Sequence, residues 1–347
     1  MNPLLSAKIN QLRAIAALWV FIFHYGHFIA HAYFAPMASL NPLNIIIYNG
    51  YIGVSLFFGL SGFLFSRVYR ANADFNVAAF YIKRLLRILP SFLVVVVFFI
   101  LFLNAQHHPL QQLFTLIFYY DALVYPQTIR HLWSINRELY CYAAFPLLWL
   151  MARYGGIKAL TALGGGSLSL VILWAIQTQP ILPNFYASLG LRFFEFILGM
   201  LAGLCFKPNA AQRYALPMFL LVYVALLTAL HAATWQVPLA YSLLGIIGLC
   251  VNSVLCVLFI VLYLHQPTAF PVCLTKPLEK IGEVSYSFYL YHFLVIGFFA
   301  EHRQLLSPVS AVNFTLLLCV SLSIAFIGYH LIEQPFLKLK MQRFNGR

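Results

Sequence analysis

The sequence predicts an all-α, polytopic membrane bundle of about ten transmembrane helices with both termini cytoplasmic, and three observations predict it. First, 63% of the 347 residues are hydrophobic, 8% are charged, and mean hydropathy is +0.86. A soluble domain carries roughly a quarter charged residues. A chain with a third of that share cannot cover a water-facing surface, so its bulk faces lipid. Second, Asp, Glu, Lys and Arg are absent between Arg13 and Arg67 and again between Arg213 and Lys276. As one helix the second interval would run roughly 90 Å, about three bilayers, so it must fold back, most naturally near Thr234–Pro238. Third, the cations are unevenly shared between alternate loops.

With about 20 apolar residues needed per crossing, the spans fall near 11–31, 48–66, 85–104, 133–151, 157–176, 189–206, 214–232, 240–264, 284–301 and 310–332. The first two share one charge-free stretch and turn through Pro36–Pro42. Leu110–Tyr125 is apolar but short, holds Asp121 and is bounded by Pro109 and Pro126. Counting it as a span would invert every later loop, so it reads as an outer-surface interfacial helix.

The inner segments then carry Lys8; Arg67, Arg70, Lys83, Arg84 and Arg87; Arg153 and Lys158; Lys207 and Arg213; Lys276 and Lys280; and Lys338, Lys340, Arg343 and Arg347. That is sixteen of the 21 Lys and Arg, and the outer loops keep only Arg130 and Arg303. Such a bias fits both termini inside. The whole chain, 1–347, reads as one transmembrane domain ending in a short cytoplasmic tail, 333–347.

A net charge of +13 is explained by that bias without any nucleic acid, since Lys and Arg are costly at mid-bilayer. The six cysteines are scattered, mostly in apolar runs, with no CxxC and no Cys/His cluster. They read as small hydrophobes, and no metal site is expected. The N-terminus lacks a cleavable signal pattern, because its first apolar run is long and carries Arg13 and His24.

Ionisable residues inside spans are candidates for function. Arg13 and His24 are eleven positions apart, about three turns, so they share a helix face roughly 16 Å apart. Arg13 sits at the inner mouth and His24 past mid-depth; His27 and His31 extend the stripe outward. Against this stands a snorkelling Arg13 with His24 as a hydrogen-bonded contact between helices. Glu138 lies about a turn inside span four from the outer side. A carboxylate can fix the tautomer of a neutral imidazole that acts as a base, or Glu138 can pair locally with Arg130 or Arg137. Arg84 and Arg87 share a face at the inner mouth and suit bidentate phosphate binding, or leaflet anchoring. Arg192 and Glu195, at i, i+3, suit a structural pair. His292 lies mid-span, and Glu333 closes span ten among cations, where a salt bridge to Arg84 or Arg87 accounts for it. No Walker A loop, dinucleotide glycine fingerprint, GxSxG elbow or HExxH is present.

These residues resemble the membrane acyltransferase-3 family of carbohydrate O-acyltransferases. Arg13 and His24 match its Arg-x10-His, and Gly53–Leu64 matches its second-helix signature. Arg84, Arg87 and Pro90 match its third helix; Leu132-Trp133-Ser134 with Glu138 and Tyr142, its fourth. Ser285-Tyr286, Tyr289-Leu290 and His292 match its ninth, and Ile332-Glu333 with Pro335 its tenth. Two features depart from many relatives. Leu139 replaces a second acid after Glu138, and the chain stops at Arg347 without a fused SGNH-type domain, as in stand-alone members.

The resemblance implies acetyl-CoA or another acyl-CoA as donor, used from the cytoplasmic side of a bacterial inner membrane. It also implies a glycan or lipid-linked glycan acceptor such as O-antigen or exopolysaccharide. Arg13, Arg84 and Arg87 would hold the CoA phosphates. His24 would act as general base or acyl carrier, and Ser61 or Trp133 would donate to the oxyanion. The alternative is a multi-span transporter or flippase, though matching broken helices in two halves are not found.

Overall fold

The structure is a computed structural model that describes residues 3–30, 42–70, 75–102, 131–177, 188–207, 215–233, 243–266 and 270–338. Every regular element among them is helical: α1 (Pro3–Phe28), α2 (Pro42–Tyr48), α3 (Ile52–Arg70), α4 (Val77–Phe102), α5 (Trp133–Gln177), α6 (Leu189–Cys205), α7 (Ala215–Ala233), α8 (Leu243–His265), α9 (Val272–Glu283), α10 (Ser285–Glu301) and α11 (Ser310–Gly328), the last continued by a π-turn, Tyr329–Glu333. The expected interfacial helix Leu110–Tyr125, the turn at Thr234–Pro238, His31 and most of the tail lie outside the described residues.

Four of these helical stretches are long and apolar enough to cross a membrane: Pro3–Phe28, Trp133–Trp174, Ile246–His265 and Ser310–Lys338. Shorter apolar helices are Ile52–Arg67 and Ala215–Ala229. Leu170, Leu221 and Leu331 are each at least 70% exposed, an apolar surface that water would penalise and lipid would not.

Among the described residues the helices overlap the expected spans; α1 begins eight residues before span one, α2 is an added short helix, and three other differences have a local cause. α4 begins at Val77, eight residues before span three, because Asn76 caps it, its Oδ1 accepting from the Ala79 N–H at 2.8 Å. Lys83 and Arg84 therefore lie within the helix rather than ahead of it, as Arg87 does. Spans four and five are joined in α5, broken only at Gly156, whose φ of 62° is open to glycine at little cost. The expected inner loop around Lys276 and Lys280 is the helix α9, where Leu274, Leu278 and Ile281 alternate with charged residues at helical spacing.

The chain divides into two compact units. One holds Met1–His27, His31–Ala73 and Phe145–Gly282; the other holds Phe28–Ala30, Asp74–Ala144 and Glu283–Arg347. In the first unit glycines let backbones meet. A Cβ at Gly53 would lie 2.4 Å from the Ala16 carbonyl oxygen of α1. One at Gly62 would lie 2.0 Å from that of Phe196, and one at Gly199 2.0 Å from that of Gly59. With little hydrophobic drive between helices in lipid, such close packing is what associates them.

Cations close the helix ends of the same unit. Lys8 donates through Nζ to the carbonyls of Leu264, at 3.0 Å, and Gln266 at the end of α8. Arg67 donates to the Phe206 carbonyl at the end of α6, at 2.9 Å. Both meet carbonyls that no further turn can satisfy, at the negative end of a helix dipole. Gln11 joins α1 to both neighbours, accepting from the Tyr263 hydroxyl at 2.6 Å and donating to Glu279 at 2.9 Å.

In the second unit the first part of α5 packs with α4 and α10. The Tyr81 hydroxyl reaches the Ala143 carbonyl, and that of Tyr286 reaches Ile88, each at 2.8 Å. Gly328 of α11 accommodates the Tyr291 ring, which an added Cβ would meet at 2.5 Å.

Candidate functional site

α1 runs without a break through Arg13 and His24, so the eleven-residue spacing does place them on one face. Both are half-buried. The His24 ring lies 5.3 Å from that of Phe23, and Phe23 in turn stacks on His27 at 6.2 Å. Ser61 is half-buried on α3 of the same unit.

Arg192 and Glu195 form a buried pair, Nη1 to Oε2 at 2.7 Å, with side chains 0% and 1% exposed. Two serines complete it. Arg192 donates to Ser55 Oγ at 3.0 Å, and Ser253 donates to Glu195 Oε1 at 2.8 Å. The guanidinium also lies over the Phe58 ring, 5.8 Å from its centroid. The network ties α3, α6 and α8 together.

The second unit gathers the other candidates. The Arg84 guanidinium lies 5.8 Å from the ring centroids of both Phe80 and Tyr142. The Tyr142 hydroxyl donates to Glu138 Oε1 one turn back on α5. Tyr286 of α10 lies within electrostatic reach of Glu138, Tyr142, Arg87 and Glu333. Glu333, buried at the end of the π-turn, accepts from Ser287 Oγ at 2.9 Å. π-turns inside α-helices often mark functional sites.

Glu138 was expected about a turn inside span four, as partner of a basic imidazole or of Arg130 or Arg137. In the second unit it accepts from Tyr142, whose ring also lies by the Arg84 guanidinium, and residues 131 to 136 ahead of it are all buried. His24 and Glu138 belong to different units, and within its own unit Glu138 is engaged by Tyr142.

About 10 Å back from Glu138, in the turn just ahead of α5, a second cluster surrounds His131 and His292. Their rings are 5.8 Å apart, and His131 stacks on Phe293 at 4.6 Å. The hydroxyls of Ser134 and Tyr289 meet at 2.6 Å, and each also reaches the His131 carbonyl at 3.1 Å. Trp133 is buried beside them in sequence. His131, Ser55, Ser253, Tyr286 and Ser287 escaped the sequence reading as site residues. Only the run Ser285–His292, with its polar groups on an apolar helix, carried a signal for some of them.

No group of three or more His, Cys, Asp and Glu side chains among the described residues could hold a metal. The family model described as acyltransferase domain matches residues 6–330. The chain is 24% identical to a Bacillus subtilis protein, YrhL, provisionally named a peptidoglycan O-acetyltransferase, over 98% of this chain and 56% of that one. It is 24% identical to the Listeria monocytogenes peptidoglycan O-acetyltransferase OatA, over 95% of this chain and 56% of that one. It is 25% identical to a protein of Acidianus two-tailed virus, provisionally named an acetyltransferase, over 83% and 82%. The chain thus spans a little over half the length of the two bacterial relatives. No solved structure matches it.

Proposed function

The chain belongs to the acyltransferase domain family, and from that premise we propose that it is an integral-membrane O-acyltransferase moving an acetyl or similar acyl group from acyl-CoA to a hydroxyl of a cell-surface glycan. The single observation that carries the reading is a family match over residues 6–330 in a chain whose α1 sets Arg13 and His24 on one face. The relatives' names support a glycan acceptor. In this reading the chain crosses a bacterial inner membrane ten times with both termini inside.

The phosphates of CoA need cations that stay charged, and Arg84 and Arg87 of the second unit supply guanidinium groups that never deprotonate. Tyr142 and Phe80 form an aromatic floor for Arg84, holding its charge without neutralising it. His24 takes the proton of the sugar hydroxyl as its oxygen attacks the thioester carbonyl. The new C–O bond forms, the C–S bond breaks, and the departing thiolate receives the proton. General-base catalysis of this kind is worth about 10²–10⁴-fold. A two-step route through acyl-His24 satisfies the same geometry.

The test is the acyl-ester content of surface glycan in cells carrying His24→Ala at wild-type protein level. Loss of about a hundredfold or more is expected; retention at wild-type level would remove His24 from catalysis. Purified protein should also bind CoA with an affinity that falls as salt rises, whereas a transporter of glycans would ignore CoA.

A further inference from the structure

A groove of about 540 Å³ runs between the second part of α5 and the start of α6, both in the first unit. Ala162, Gly166, Leu170 and Trp174 line it from one side of α5, and Gly190 and Phe193 from α6. Residues four apart on a helix are neighbours on its surface, so the α5 wall is one continuous stripe. The two helices meet beside it. Ser167 donates through Oγ to the Gly190 carbonyl at 3.0 Å, and a Cβ at Gly190 would lie 2.1 Å from the Val171 side chain. At Gly166 an added Cβ would meet nothing within 4 Å, so the missing side chain gives the groove its depth.

Its walls suit hydrocarbon. The polar side chains among them, Ser167 and Ser188, are engaged within the chain. Ser167 holds Gly190, and Ser188 Oγ accepts from the Leu191 N–H at 3.3 Å as the N-cap of α6. α5 is long and apolar enough to cross a membrane, and Leu170 and Leu173 are 70% and 54% exposed, a flank suited to lipid. From Ala162 to Trp174 the helix rises about 18 Å. The hydrocarbon of one leaflet is about 15 Å deep, half of a bilayer core. One acyl chain fills that length.

A cation stands at one end. Lys158 is exposed and lies one turn before Ala162 on the same stripe. Side chains on a helix lean toward its N-terminus, which carries this ammonium away from the apolar walls. No Asp or Glu occurs between Glu138 and Glu195, and Glu195 is held by Arg192 and Ser253. A chain lying in the groove thus brings its headgroup to a positive charge with no acid near it on either helix.

We propose that this groove holds one acyl chain of an anionic phospholipid whose phosphate meets Lys158. The site uses none of the residues given to acyl transfer, and it requires only that α5 face a bilayer.

The test uses full-length protein stripped of lipid in detergent. It is titrated with dioleoyl phosphatidylglycerol, or with phosphatidylcholine of the same chains, and bound lipid is counted by native mass spectrometry. Wild type should take up one phosphatidylglycerol saturably and phosphatidylcholine more weakly. Lys158→Gln should weaken phosphatidylglycerol about fivefold, the worth of one lysine near an anionic headgroup, and leave phosphatidylcholine unchanged. Gly166→Phe should abolish retention by filling the groove. Gly165→Phe is the control: an added Cβ there also meets nothing within 4 Å, but Gly165 is not on the groove wall, so retention should persist. Should Gly166→Phe fail to fold, Ala162→Trp fills the same groove from the same wall.

Equal retention by the groove-filling variant and wild type overturns the proposal, and so does equal loss in Gly165→Phe. Both lipids bound alike, with no effect of Lys158→Gln, overturns it in favour of lipid that merely coats the protein. A doubled protein mass in place of a lipid adduct overturns it in favour of a second copy of the chain.

Discussion

Arg192 and Glu195 are buried with their polar atoms spoken for by each other, Ser55 and Ser253. A charge taken from water is tolerated when its partner and hydrogen bonds are all in place, and removing one partner costs about 3–5 kcal/mol. Glu195→Gln should therefore lower the thermal unfolding midpoint in detergent markedly. Replacing both residues by apolar side chains of similar volume should cost much less. A Glu195→Gln protein as stable as wild type would mean that the pair does not hold the three helices. The i, i+3 spacing of the two charges made the pair legible in the sequence. Its serines were not legible, because a hydroxyl in an apolar run looks the same whether it faces lipid or a carboxylate. Glu138 shows the other limit. Its chemistry was readable, but not that the Tyr142 ring it meets also packs by Arg84, because the packing of α4 against α5 leaves no mark in the sequence.

At the scale of elements, glycines on the α3–α6 contact set how near two helices can come. Gly199→Ala would place its Cβ 2.0 Å from the Gly59 carbonyl oxygen, and backbone cannot step aside as a side chain can. Overpacking of this kind costs about 1–3 kcal/mol. Gly166, inside α5, has nothing within 4 Å of an added Cβ. Gly166→Ala should instead stabilise by up to about 1 kcal/mol through helix propensity. Thermal melts of the two variants in one detergent decide the matter; equal shifts would contradict the close-contact account. Most helices were legible to within a few residues because apolar length is a strong signal. α9 was not, since its mixed polarity reads as a loop until one face is known to pack, as Gly282 does on Asn10 of α1.

For the molecule as a whole, the excess of cations has two uses. Lys8 and Arg67 are engaged at helix C-termini, so part of the positive charge serves the fold. In the proposed reading Arg84 and Arg87 serve phosphate-bearing ligands. The proposed ten-span topology puts α9 on the cytoplasmic side, and Cys273 on it is exposed. In a variant retaining Cys273 alone, a membrane-impermeant thiol reagent should label that cysteine in inverted vesicles and spare it in intact cells. Labelling in intact cells would overturn the count or its orientation.

The π-turn at Tyr329–Glu333 gives that stretch of backbone slack of one residue, because each of its hydrogen bonds encloses one residue more than an α-helical bond does. Deleting the exposed His330 would tighten the loop to ordinary pitch and leave both flanks in phase, with Glu333 still turned toward Ser287. The same deletion at Leu316 would swing everything before it by about 100° and bring the outward side of α11 inward. The chain can thus lose a residue at one end of its last long helix far more cheaply than at its middle.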